Sequence, residues 1–153
     1  MIPIQGLFES HLTVESLDRA MRFYGNVLGL ELAHVAQDQT VAFYWIGGRG
    51  NSMLGLWKVG ARPQRLSLHV AFQVELSHLH EAADRLRAEN IAPLGFSGEP
   101  SDELTVLAWM PAAALYFRDP DGNLLEFLTM LPGEPQFQLG VMRWSDWNAR
   151  LSR

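Results

Sequence analysis

The chain has 153 residues, of which 48% are hydrophobic and 19% charged, and its net charge at pH 7 is −5. These values predict one globular domain, or two small halves, with a real core. They argue against a nucleic-acid partner, since no basic run appears, and against a membrane span, since no run approaches roughly 18 apolar residues. The absence of cysteines and of a signal-peptide pattern at the start fits a cytoplasmic protein.

The first half of the chain predicts one helix and four strands. Residues Leu7–Val14 alternate with period two, which is typical of a half-buried strand. A helix is predicted over Leu17–Leu28, with Ser16 as its N-cap and Gly29 as its stop. Further strands are predicted at Glu31–Val35, Thr40–Ile46 and Ser52–Val59, and a linker at Gly60–Gln64.

The second half predicts the same order of elements. Residues Leu66–Val74 alternate as a strand, and Ser77 is the predicted N-cap of a helix over His78–Glu89. Two strand-like pieces follow, at Ile91–Phe96 and Thr105–Met110. The repeated order predicts an α+β protein made of two β-α-β-β-β modules.

A hairpin ends the second half. Pro120 presets φ and Gly122 permits positive φ, so the sequence predicts a tight turn between two antiparallel apolar strands. This turn would place Tyr116 opposite Glu126 on one face. A carboxylate within an apolar strand requires a positive partner, which is either an arginine or a metal ion.

The chain resembles the vicinal oxygen chelate superfamily, which includes glyoxalases, bleomycin-resistance proteins, fosfomycin-resistance enzymes and extradiol dioxygenases. The resemblance spans about residues 5–131. It is carried by the motifs Ser10–Val14, Ser16–Tyr24 with Leu28–Leu30, Leu68–Phe72 and Asp119–Glu126. It implies a glyoxalase-like fold, in which the sheets of two modules curl into a cup. Module 1 would span about residues 5–59 and module 2 about 66–131, with residues 132–153 forming a tail.

The resemblance also implies a metal site, with His11, His69 and Glu126 as ligands of one divalent ion per site. Two neutral imidazoles and a carboxylate suit Fe, Mn, Zn or Ni and leave positions open for a substrate. The alternative for each residue alone is ordinary packing, in which the histidines are hydrogen-bonded wall residues and Glu126 pairs with an arginine.

Other residues near these positions are candidates for substrate contact. Tyr116 is the catalytic candidate, because its hydroxyl can donate a hydrogen bond to a substrate oxygen; the alternative is an aromatic residue in the cup wall with its hydroxyl bonded to water. Thr13 shares a strand face with His11, either as a substrate contact or as an ordinary strand residue. Trp57 belongs to a group of strand aromatics that either line an apolar pocket or pack in the core. Glu9 shares the face of His11 too, either as a partner that orients the imidazole or in a salt bridge at the rim.

No single subfamily matches throughout. Glyoxalase I has a fourth ligand, a glutamate, on the strand here predicted at Ser52–Val59, which contains no carboxylate. Fosfomycin-transferring enzymes share Thr13 and Tyr116, but their polar potassium loop is replaced by Trp109–Ala114. Extradiol dioxygenases carry a histidine where this chain has Leu107–Trp109.

Three classes of function are therefore open. The first is a divalent-metal-dependent enzyme that binds a small substrate through two vicinal oxygens, with dioxygenase-like or lyase/transferase-like chemistry. The second is a metal-free protein that sequesters a ligand, as bleomycin-resistance proteins do, and the third is a structural or regulatory dimer with a vestigial site. We expect a homodimer, with the tail against the partner subunit or over the cup mouth.

Overall fold

The computed structural model describes residues 6–58 and 68–151, so the predicted linker lies outside the described residues. The chain divides into two compact units. Unit 1 contains Met1–Leu68 together with Asp119–Asn123, and unit 2 contains His69–Arg118 together with Leu124–Arg153. No helix in the described ranges is both long and apolar enough to cross a membrane.

Unit 1 holds a four-stranded mixed sheet, and its strands confirm the alternating patterns of the first half. The strands are β1 (Glu9–Val14), β2 (Glu31–Val35), β3 (Val41–Ile46) and β4 (Ser52–Lys58). Their order in the sheet is β1-β4-β3-β2, with β1 parallel to β4 and the other neighbours antiparallel.

The predicted helix of unit 1 is present but changes type along its length. Helix α1 (Leu17–Met21) begins at the predicted N-cap, where the Ser16 hydroxyl accepts a hydrogen bond from the Arg19 amide at 3.3 Å. It continues as a π-helical segment, Arg22–Val27. Wider π-type turns of this kind are uncommon, and they are seen as single insertions in α-helices.

Unit 2 holds a five-stranded mixed sheet and two helices. The strands are β5 (His69–Gln73), β6 (Thr105–Leu107), β7 (Ala112–Arg118), β8 (Leu124–Met130) and β9 (Val141–Arg143), in the order β5-β8-β7-β6-β9. The helices are α2 (Leu76–Ala88) and α3 (Trp144–Leu151). Within the tail, β9 pairs antiparallel with β6 and the buried side chain of α3 is Trp147.

Two predictions for unit 2 are wrong. Helix α2 begins at Leu76 rather than after Ser77, because the Leu79 amide already bonds to the Glu75 carbonyl at 3.0 Å. No strand forms over Ile91–Phe96. There Leu94 alone makes isolated bridges, since a proline precedes it and a glycine follows it.

Each sheet buries one face under helices and leaves the other more open. In unit 1 the buried face includes Leu12, Leu54 and Leu56, on the side of α1. In unit 2 the buried residues Leu115 and Leu125 lie in the strands that contact α2. Because strand residues alternate between faces, the residues between these leucines point to the open faces.

Candidate metal centre

His69 and Glu126 meet on the open face of the unit 2 sheet. Glu126 pairs with Ala71 in β5 and with Tyr116 in β7, which confirms the predicted hairpin register. His69 lies two residues before Ala71, so its imidazole points to the same face. Its Nε2 atom lies 3.0 Å from Oε2 of Glu126.

The carboxylate of Glu126 is almost completely buried, with 5% of the residue exposed. Its second oxygen, Oε1, is buried without a hydrogen-bond partner. Burial raises the pKa of Glu126 above its ordinary value, against the lowering effects of His69 and of the Tyr116 hydroxyl. The structure therefore gives this carboxylate an imidazole and a phenol as partners, and one acceptor oxygen remains for a further group.

Tyr116 completes this group in unit 2. Its ring is buried, with its centroid 6.3 Å from that of His69 and 6.1 Å from that of Phe96. Burial raises the pKa of Tyr116, and the nearby charge of Glu126 and a hydrogen bond to it raise the pKa further. The phenol is thus held protonated, which suits a hydrogen-bond donor and not a base.

His11, Thr13 and Trp57 come together on the open face of the unit 1 sheet. The His11 ring stacks on Trp57 at a centroid distance of 5.6 Å and contacts the edge of Phe43 at 6.1 Å. Thr13 is the register partner of Trp57. Glu9 lies on the same face, and its Oε1 atom is 3.0 Å from Nε2 of His11.

Gly55 allows the His11 ring to lie in this position, a role that the sequence analysis missed. Gly55 pairs with His11 in β1 and with Phe43 in β3. A Cβ atom at residue 55 would lie 3.0 Å from Cδ2 and 3.3 Å from Nε2 of His11. The available indication was a glycine inside an apolar strand, which often marks a close approach.

The turn Asp119–Asn123 fixes the backbone next to His69. The sequence predicted the turn but not this role. The Oδ2 atom of Asp119 accepts hydrogen bonds from the Tyr24 hydroxyl at 2.9 Å and from the side-chain amide (Nδ2) of Asn123 at 2.8 Å. Oδ1 of Asn123 in turn accepts a hydrogen bond from the Leu68 amide at 3.1 Å. The residue directly before His69 is thereby held in place.

Comparison with known proteins identifies the family. Residues 6–127 match the model of the Glyoxalase/Bleomycin resistance protein/Dioxygenase superfamily. The chain belongs to this superfamily. Membership confirms the resemblance and, with the two mixed sheets and three helices, the predicted α+β glyoxalase-like fold.

Three similar proteins differ in name and in their similarity to this chain. Metallothiol transferase FosB from Shouchella clausii is 30% identical over 129 residues, covering 82% of this chain and 81% of that protein. An integron cassette protein from the mobile metagenome of the Halifax Harbour sewage outfall is 31% identical, with a TM-score of 0.69 over 83% of this chain and all of that one. Lactoylglutathione lyase from Agrobacterium tumefaciens, at 23% identity, shares the fold with a TM-score of 0.63 over 83% of this chain and 95% of its own.

The histidine and glutamate side chains of this superfamily member have the nitrogen and oxygen atoms that a divalent cation binds, and they lie in pairs. Two ligand atoms that lie about 2.1 Å from one ion, at a right angle to each other, are about 3.0 Å apart. The Nε2 atom of His69 and the Oε2 atom of Glu126 are at this separation, which is also that of the hydrogen bond they form, and the unpartnered Oε1 of Glu126 adds a free donor. Within residues 6–58 and 68–151, no group of three or more histidine and acidic side chains is close enough together to hold a metal.

The six predicted site residues thus form two groups. His69, Tyr116 and Glu126 belong to unit 2, whereas His11, Thr13 and Trp57 belong to unit 1. The other histidines are exposed and belong to neither group: His34 lies in β2, His78 in α2, and His80 packs against Trp144.

Proposed function

We propose that this superfamily member is a divalent-metal-dependent enzyme that binds a small substrate through two vicinal oxygens. His11, His69 and Glu126 supply the metal ligands. The observation that carries the proposal is the pair of His69 and Glu126, in which a buried carboxylate contacts an imidazole and keeps one oxygen without a partner. A buried carboxylate needs a partner for its charge, and a metal ion bound at the unpartnered oxygen would supply it.

A bound Fe, Mn, Zn or Ni ion would act as a Lewis acid on the substrate oxygens. Both imidazoles are 46% exposed, so a substrate has access to the ligand atoms. Glu126, in contrast, is buried and is held by its strand neighbours on both sides, which fixes the direction of the carboxylate.

Tyr116 donates a hydrogen bond to a substrate oxygen as negative charge develops on it. Because the pKa of this phenol is raised, its proton is present throughout the neutral range. Thr13 and Trp57 contact the substrate from the unit 1 face. The half-exposed indole of Trp57 offers an apolar surface next to the Thr13 hydroxyl.

Among the reaction classes, the similarity to a metallothiol transferase supports thiol transfer. Lyase-like and dioxygenase-like chemistry stay candidates, because the superfamily name itself covers them. A panel of an epoxide with a thiol, a hemithioacetal and a catechol, each assayed with several divalent ions, distinguishes the three.

Metal content tests the proposal directly. Protein purified without chelator should contain a divalent metal, and His69→Ala and Glu126→Gln should each lose most of it. His34→Ala is the matched control, because His34 is exposed on β2 outside both groups. Equal metal content in all four proteins, with folding checked by circular dichroism, would contradict the assignment of these ligands.

A metal-free binding protein of the bleomycin-resistance type is the second candidate. The aromatic surface formed by Phe43 and Trp57 around His11 would suit a flat organic ligand. Under this alternative the purified protein contains no metal, and quenching of tryptophan fluorescence by added ligands is unaffected by chelators.

A further inference from the structure

We propose that Glu9 is a fourth protein ligand of the metal, so that the donor set consists of two histidines and two glutamates. This inference rests on the proposed function and extends it to a residue of β1 that would otherwise be a surface carboxylate.

The geometry of Glu9 and His11 repeats that of Glu126 and His69. Oε1 of Glu9 lies 3.0 Å from Nε2 of His11, and Oε2 of Glu126 lies 3.0 Å from Nε2 of His69. Each unit thus presents one imidazole in hydrogen-bond contact with one carboxylate on its open face, and two atoms at this separation can both bind one ion.

The nitrogen that Glu9 contacts distinguishes a ligand from an orienting residue. A carboxylate that orients a metal-bound imidazole bonds to the ring nitrogen that faces away from the metal. In the unit 2 pair, Nε2 is the nitrogen next to the ligand carboxylate. Glu9 contacts Nε2 of His11 as well, and it is therefore positioned beside the metal-binding nitrogen.

The surroundings leave this pair free to accept an ion. Gly55 lies opposite His11 and adds no side chain, while Trp57 and Phe43 hold the ring from its face and edge. The side chains of His11 and Glu9 are 46% and 38% exposed. A contact between two half-exposed polar side chains contributes little to stability, so replacing it with two metal bonds costs little.

The charge and the coordination number also fit. Two carboxylates neutralise a divalent ion, and four protein donors leave two positions of an octahedron for two substrate oxygens. The neighbouring strand β4 contains no carboxylate, so Glu9 provides the second negative ligand on the unit 1 face.

Manganese binding by the full-length protein tests the inference. Apo-protein is titrated with Mn²⁺ by calorimetry, and the number of water molecules on the bound ion is measured by solvent-proton relaxation. Glu9→Gln should weaken binding by at least about tenfold, the lower end of what loss of even an outer partner costs. In Glu9→Ala the ion should gain about one water molecule, because octahedral coordination must be completed. Glu31→Gln is the control. It removes an equal charge from β2, where Glu31 forms an exposed ion pair with Arg49, and it should bind Mn²⁺ as wild type does.

The outcomes separate this inference from the proposed function. If wild type binds Mn²⁺ tightly and Glu126→Gln does not, but both Glu9 variants match wild type in affinity and water number, Glu9 forms only a surface ion pair and the inference fails. If wild type binds no better than Glu126→Gln, the proposed function fails with it. Weaker binding by Glu9→Gln without an added water in Glu9→Ala would also overturn the role of ligand.

Discussion

Buried phenols in this chain are held in their protonated state, and two of them lie beside a carboxylate. Tyr116 lies beside Glu126 on the open face of unit 2, whereas Tyr24 is fully buried in unit 1 against Asp119. Burial is the largest cause of the raised pKa in both residues, and a neighbouring carboxylate adds to it. We propose that the Tyr116 phenol donates to the substrate, whereas the Tyr24 phenol bonds to Asp119 within unit 1.

Replacing Tyr116 by phenylalanine should abolish most turnover and leave folding and metal content unchanged. The ring stays, and the hydrogen bond that stabilises developing charge is lost, which typically costs about 10²–10³ in kcat. Steady-state kinetics on the identified substrate measure the loss. Tyr44→Phe is the control, since Tyr44 donates to the Met21 carbonyl on the helix side of its sheet. Equal turnover in wild type and Tyr116→Phe would show that Tyr116 contributes packing and has no role in turnover.

Replacing Tyr24 by phenylalanine should lower the free energy of unfolding by about 1.5–3 kcal/mol, the range for a hydrogen bond to a charged group. The lost bond is the one from the Tyr24 hydroxyl to Oδ2 of Asp119. Urea unfolding at pH 7 measures this change.

The same variant gives a pH dependence with a definite sign. The pKa of Tyr24 is raised in the folded protein, so above about pH 10 the unfolded chain releases the phenol proton and the folded protein keeps it. This contribution to stability is complete below pH 10 and is lost as the pH rises further. The difference in stability between wild type and Tyr24→Phe should therefore shrink above pH 10, and a constant difference would contradict this assignment.

At the scale of elements, alternation and turn chemistry predicted most of the fold. The period-two pattern around His11 and around Val70 gave β1 and β5, and the Asp-Pro-Asp-Gly turn fixed the register that pairs Tyr116 with Glu126. Local sequence patterns gave a wrong prediction where contacts with distant residues determine the backbone structure. Leu94 is held by single bridges and not by a strand, since its neighbours are a proline and a glycine.

The candidate site was predictable only in part for the same reason. The contact of His69 with Glu126 follows from the motif and the hairpin register. Gly55 matters because it lies opposite His11, and this depends on which strands pair. Glu9 was left between two roles, because the sequence places it on the face of His11 but does not give the ring nitrogen that it contacts.

Helix α3 depends on one side chain for its place in unit 2. It has eight residues, too few to be helical alone, and Trp147 is its buried residue. Trp147→Ala should lower the free energy of unfolding by about 3–5 kcal/mol, as for other buried large aromatics. Thermal and urea unfolding measure it, with the exposed Leu151→Ala as the control. Similar stability of the two variants would mean that the helix contributes nothing to unit 2.

For the whole molecule, the two groups of ligands lead to a prediction about assembly. We expect a homodimer in which His11 comes from one chain and His69 with Glu126 from its partner. Sedimentation should then give twice the 17.2 kDa of one chain. A monomer with a full metal load would contradict this shared site.

Mixing two inactive variants gives a sharper test of the shared site. His11→Ala and Glu126→Gln should each bind metal poorly as homodimers. After unfolding and refolding together, a mixed dimer has one site with both defects and one intact site, so metal binding should return. If every site were formed within one chain, the mixture would bind no more than the separate variants.

The turn Asp119–Asn123 belongs to unit 1, although the strands on both sides of it belong to unit 2. A ribosome delivers the chain from its N-terminus, so β1 to β4 emerge long before this turn. Until then the hydroxyl of Tyr24 lacks the Asp119 carboxylate, and burying an unpaired phenol is unfavourable. The first unit therefore reaches its final state only after most of the second has been synthesised, and the two halves mature together during translation although each has its own sheet.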